Sequence, residues 1–247
     1  MIARSPYDTI LEGKTEGVYG GLSLDSSCIS ALQGSFTSTL NENHPHTVRS
    51  ILATVILVTH PLPPSAIATL VEMPAWIVTP ILTSAQSLLK PHEDPNQPVL
   101  PFHKLFSDLL TSPTRCLDKS FYIPPGKFHT EIALHCLRLM NRTLENELPV
   151  QTRGMGSEGD CPPVDIGLRY AFVFWHIHLA ESKEDVTTLI PGLRCFLETR
   201  FGVWLKMLSV PGFMGVAASA RENTIWWLRE VCFYLPPNYP RCLPALG

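Results

Sequence analysis

The sequence predicts a mainly α-helical protein with one short β-wing. Two observations carry this. Apolar residues recur at helical steps of three and four, as in Ile132, Ala133, Cys136, Leu137, Met140 and Leu144. Many of the 23 prolines fall between the apolar segments, as expected of short helices with stiff connections. The one strand-length piece, Pro98 to Phe102, supplies the wing.

In chain order, Pro6 to Leu11 fits one helical turn. Glu12 to His46 is rich in Gly, Ser and Thr and reads as a poorly ordered loop, so residues 1–46 form an N-terminal region without a core. Thr47 to Thr59 is strongly apolar. Its β-branched residues allow a strand, but its length and polar start favour a helix. Pro61, Pro63 and Pro64 stop it. Ser65 then sits where an N-cap would, before Ala66 to Val71. A third helix is expected from Pro74 to Leu89. The polar turn His92-Glu93-Asp94-Pro95-Asn96 leads into the strand-length piece, which runs into an amphipathic helical turn from His103 to Leu110. Three helices and a short wing give a winged-helix pattern over 47–112.

A helical domain is expected over 113–235. After a proline-rich connection at 113–126, Thr130 to Glu147 carries the apolar stripe quoted above. Residues 149–163 read as a Gly/Pro linker. Asp165 caps a helix to Glu181 that is apolar nearly all round, which predicts deep burial. Pro191 opens a helix with Leu193, Phe196, Leu197, Phe201, Trp204, Leu205 and Leu208 on one stripe. A last helix runs from about Gly215 to Val231. Residues 236–247 form an irregular, proline-rich tail.

Composition narrows the function. Hydrophobic content of 45% with 17% charged residues describes a globular chain with a substantial core. A net charge of −3 gives no bulk attraction to nucleic acid or anionic lipid. The helix expected to enter a DNA groove, Pro74 to Leu89, has no Lys or Arg for phosphates or bases, so nucleic acid is not an expected partner. Seven scattered cysteines without a Cys-x-x-Cys pair argue against a disulfide framework and a zinc site, and favour a cytoplasmic setting. No secretory signal and no run of about 18 apolar residues is present, so no membrane partner is expected. Asn141-Arg142-Thr143 matches a glycosylation sequon by chance.

Several fragments mimic catalytic or binding motifs. Gly13-Lys14-Thr15 copies the end of a phosphate loop, but the first glycine of that loop would be Asp8, a repelling charge. Gly154 to Gly159 has its serine out of register for a hydrolase elbow. His176 and His178, two apart on a helix, do not share a face and cannot readily chelate one ion. They read as core or surface histidines. His44 and His46 lack acidic or cysteine partners nearby. No catalytic residue, metal or cofactor is expected.

The landmarks from Tyr7-Asp8-Thr9-Ile10-Leu11 through Ser87 to Lys90, His92 to Pro95, Pro101 to Leu110, Ser112 to Cys116 and Phe121-Tyr122-Ile123 occur in a family order. So do Leu168 to Ala171, Phe174-Trp175, His178-Leu179, Trp204-Leu205 and Leu208-Ser209. Together they resemble the region after the nucleotide-binding domain in fungal NACHT proteins, a group of STAND-class signalling NTPases. The resemblance implies a non-catalytic regulatory region of a switch that acts in intracellular non-self recognition. In that family a winged-helix histidine hydrogen-bonds a phosphate of bound ADP and holds the closed state; by position that residue is His103. The phosphate loop, magnesium strand and sensors would lie before residue 1, so the expected partner is the nucleotide-binding domain of a related NACHT protein, or a second copy of the chain. Glu12 to His46 departs from the family pattern. A stand-alone helical scaffold, a truncated product without function and a winged-helix DNA-binding protein are the alternative readings.

Overall fold

In a computed structural model, residues 18–41, 45–90, 94, 96–147, 165–208 and 214–232 are described. They are mainly helical, and the chain divides into two compact units, Met1–Pro125 and Gly126–Gly247.

The first unit begins with α1, Val18–Asn41, where the sequence reading placed a loop. Gly, Ser and Thr are weak helix formers, but propensity is a weak prior and packing overrides it. Leu24, Cys28, Leu32 and Phe36 recur every four residues, and Leu32 and Phe36 are fully buried. The ring of Phe36 lies 6.3 Å from that of Phe121. Polar ties add to this. Arg115 donates through Nε and Nη2 to the two oxygens of Asp25, at 2.9 and 2.6 Å, and Gln33 donates to Asp118 at 2.8 Å. The helix is therefore held by the connection at 112–124.

Helix α2, Pro45–Leu57, buries Val48, Ile51, Leu52 and Val55, so the apolar run is a helix and not a strand. Its buried Thr54 hydroxyl donates to the Ser50 carbonyl at 2.9 Å, which satisfies it inside the core. Helix α3 is Pro64–Leu70. Its N-cap is Pro63, with no side-chain bond, and not Ser65; Pro64 opens the helix, where a missing N–H costs nothing. It ends in a Schellman motif: Met73 N–H reaches the Ala68 carbonyl and Glu72 N–H that of Thr69, with Glu72 at φ 54° where glycine is usual. Helix α4, Ala75–Ser84, is shorter than the Pro74–Leu89 expected and is followed by turns. It packs on α2 and α3 through Val78, Ile81 and Leu82.

The expected β-wing reduces to one antiparallel bridge, Leu89 to Pro101; among the described residues there is no strand. Lys90 N–H donates to the Leu100 carbonyl at 2.8 Å and Phe102 N–H to that of Leu88 at 2.9 Å. Pro98 and Pro101 have no N–H to extend the ladder. Helix α5, Lys104–Thr111, follows and lies against α1.

The second unit opens with α6, Pro125–Glu147, whose predicted stripe is buried throughout. Helix α7, Ile166–Glu181, is capped as expected: Asp165 accepts from Leu168 N–H at 3.0 Å. Helix α8, Leu189–Cys195, continues through a π-turn, Phe196–Arg200, into α9, Phe201–Leu208. Pro191 is thus the third helical residue. Leu205 of the predicted stripe is exposed, and Val203 is buried beside Trp204 instead. Helix α10, Met214–Cys232, packs along α7.

The core of this unit is aromatic. Trp175, Phe196 and Trp204 meet edge to face with centroids 5.1 to 6.0 Å apart, and Trp204 donates to the Phe172 carbonyl at 3.0 Å. Thr130 donates to the Glu184 carbonyl at 2.6 Å, and Lys183 N–H to that of Gly126 at 3.2 Å. A Cβ on Gly126 would meet Lys183 Cβ at 3.0 Å, so this crossing wants glycine. Asn141 of the sequon donates its amide to the Gly192 carbonyl at 3.0 Å. The linker at 149–163 and the tail at 236–247 lie outside the described residues.

Candidate functional site

His103 stands at the start of α5, as the sequence suggested, but on a bridge and not at the end of a strand. Its backbone is extended, with φ −143° and ψ 146°, and it is the N-cap of the helix. The Leu105 N–H donates to His103 Nδ1 at 3.1 Å. This bond fixes the tautomer. An Nδ1 that accepts carries no proton, so the neutral ring bears it on Nε2. The exposed imidazole then offers Nε2–H at the positive end of a helix dipole, beside exposed Lys104. Such a group can donate to an anion. By itself it cannot hold one, since a single hydrogen bond contributes about 0.5–3 kcal/mol and micromolar affinity needs about 8 kcal/mol.

The first unit also presents apolar side chains to solvent. Phe102 and Leu105 flank His103 in sequence and are exposed. So are Leu117 and Trp76, the latter to 75%. The outer face of α4 is formed by Ala75, Trp76, Thr79, Pro80 and Thr83, with no charge among them.

The second unit holds a constellation that sequence reasoning missed. His178 is fully buried. Its Nδ1 lies 2.8 Å from Nδ1 of His129 on α6, and its Nε2 lies 2.7 Å from the Tyr170 hydroxyl. Between two facing Nδ1 atoms there is room for one proton. The neutral pair therefore has two arrangements, with the Tyr170 hydroxyl donating to His178 in one and accepting in the other. His176 points elsewhere. The Asn223 amide on α10 donates to His176 Nδ1 at 2.9 Å. The two histidines of the His-x-His pair thus serve opposite neighbours, as their spacing on a helix requires.

Burial pushes the His178 pKa down to about 3, with the nearby His129 and His176 adding to it. Burial also brings His176 down to about 4, against a backbone hydrogen bond at Val173 that favours the proton. His129 is lowered by burial, opposed by Glu181 and reinforced by Lys183. All three imidazoles are neutral at pH 7. The chain from Tyr170 through His178 to His129 is a polar network that joins α6 to α7 inside the core.

No group of three or more His, Cys, Asp or Glu placed to hold a metal occurs among the described residues. Cys28, Cys116, Cys136 and Cys195 form no disulfide. Burial raises Cys116 to about 11 and pushes Cys136 up as well, so neither is a thiolate at pH 7. Gly13-Lys14-Thr15, Gly154 to Gly159 and His44 lie outside the described residues, and His46 is exposed near the start of α2. Among the described residues no helix is long and apolar enough to cross a membrane. No protein-family model, curated protein or solved structure matches this chain.

Proposed function

We propose that the chain is a non-catalytic regulatory region of the NACHT type, which works in the cytoplasm on a nucleotide-binding domain carried by a related protein. The observation that carries this reading is His103: an exposed N-cap whose helix holds the ring in the Nε2–H tautomer. In the reading, α2, α3, α4, the Leu89–Pro101 bridge and α5 form a winged-helix-like module with a vestigial wing. His103 donates to a phosphate of ADP held by the partner. A rigid-body shift withdraws the donor and releases the closed state. The uncharged outer face of α4, with Trp76, supplies apolar docking area and lacks the cations that a DNA groove needs.

The exposed Trp76 and Leu117 also favour a second reading, a stand-alone helical scaffold that uses exposed apolar side chains to assemble with copies of itself or with other proteins. The two readings separate by calorimetry. The regulatory reading expects no micromolar binding of ADP or ATP by the chain alone, and a one-to-one complex with an ADP-loaded NACHT nucleotide-binding domain. Self-association without such a complex supports the scaffold. Micromolar nucleotide binding by the chain alone overturns the regulatory reading.

A further inference from the structure

The second unit places two buried imidazoles back to back on one helix, and neither is needed for the role given to His103. Helix α7 is joined to α6 through His178 and His129, and to α10 through His176 and Asn223. Both junctions depend on protonation. The His129–His178 bond needs one of its two Nδ1 atoms to stay bare. With both protonated, donor faces donor and two cations lie 2.8 Å apart. The His176 junction needs a bare Nδ1 to accept from the Asn223 amide. Rotating that amide to offer its oxygen would turn the oxygen toward the His176 carbonyl, 3.4 Å from the present amide nitrogen.

We propose that the second unit is a proton-sensitive module: α7 is held to α6 by a histidine pair that needs one bare Nδ1 and to α10 by a histidine that accepts only while its Nδ1 is bare, and mild acid releases it while the first unit stays folded. The groups facing these rings do little to rescue the charge. His178 faces His129 and the Tyr170 hydroxyl, and a charge on His176 would add to the cost of its own. His129 has Glu181 in its favour and Lys183 against it. His176 has a backbone hydrogen bond at Val173 in favour of its proton, outweighed by burial, and from α10 its neighbour is the uncharged Asn223 amide. In the first unit His46, His60 and His103 are exposed and lie outside any core.

The sign follows from linkage. The unfolded imidazoles bind protons below a pH of about 6.5, whereas the folded ones resist until pH falls to about 4 at His176 and about 3 at His178. Stability of the second unit is fully present above the unfolded value and is lost as pH drops through this window. Two resisting histidines correspond to uptake of about two protons on opening, or about a hundredfold change in the opening equilibrium per pH unit.

Peptide-resolved hydrogen exchange on the full chain between pH 7 and pH 4.5, corrected for intrinsic exchange, reads this directly. Protection in α6, α7 and α10 should fall with a slope near two protons, while α2 to α5 change at least tenfold less. His178→Phe should flatten the slope. Asn223→Asp, which places a carboxylate beside His176, favours the protonated ring and should move the opening to lower pH by about one unit. It serves where the Phe variant does not fold. Equal loss of protection in both units overturns the proposal, and so does a wild-type pH profile in Asn223→Asp.

Discussion

The two units solve the same problem of burying polar groups in opposite ways. Among its described residues the first buries the hydroxyls of Ser50 and Thr54 but no imidazole. Its described histidines, His46, His60 and His103, are exposed, and the ion pair of Arg115 and Asp25 is partly exposed. Its interior, seen in α2 to α4, is almost wholly aliphatic. The second encloses three tryptophans, Trp175, Trp204 and Trp227, with His176 and His178. A unit with its polar groups outside can offer them to a partner. A unit with them inside is specified by them and becomes sensitive to whatever changes their charge.

That contrast can be broken by mutation. The largest effect is expected from Trp204→Ala. The indole is fully buried in the aromatic cluster and bonded to the Phe172 carbonyl, and removing such a side chain costs about 3–5 kcal/mol. Exchange protection should collapse in α6 to α10 and persist in α1 to α5. Equal loss in both units would show that they do not fold separately.

A smaller effect is expected from Arg115→Ala. The pair is bidentate but a third of the arginine side chain is exposed, so solvent screening limits the loss to about 1–2 kcal/mol. The loss should concentrate in α1, measured as faster exchange of its amides, because Asp25 and Gln33 anchor that helix to the 112–124 connection. No change in α1 would mean that Leu32 and Phe36 hold it without the ion pair.

How much of this was legible in the sequence depends on the range of the interaction. The stripe of α6 and the Asp165 cap of α7 are local patterns, and both are found where periodicity and capping chemistry put them. Helix α1 was not legible from propensity, because its residues are weak helix formers and its support comes from Arg115, Asp118 and Phe121, some 85 to 90 positions away. A stricter reading of the four-residue step from Leu24 to Phe36 would have found it. The β-wing was overread because an extended segment with two prolines can pair at only one point. The imidazole network was out of reach. His129 and His178 are 49 positions apart, and His176 and Asn223 are 47 apart, with no spacing rule to join them. The helix start at His103 follows a polar turn and leaves a local mark, whereas the role given to His103 comes from the family resemblance alone.

The smallest expected effect on stability is also the sharpest for function. His103→Asn keeps an N-cap side chain that accepts from a backbone N–H, so α5 should lose less than about 0.5 kcal/mol. It removes the Nε2–H. The decisive measurement is the ADP affinity of a NACHT nucleotide-binding domain with the wild-type chain added, and again with His103→Asn. The regulatory account predicts that the wild-type chain tightens ADP binding by about ten- to hundredfold, the worth of one hydrogen bond to a charged phosphate, and that His103→Asn abolishes the gain with the fold intact. An ADP affinity that ignores the wild-type chain, or a gain that survives His103→Asn, would contradict it.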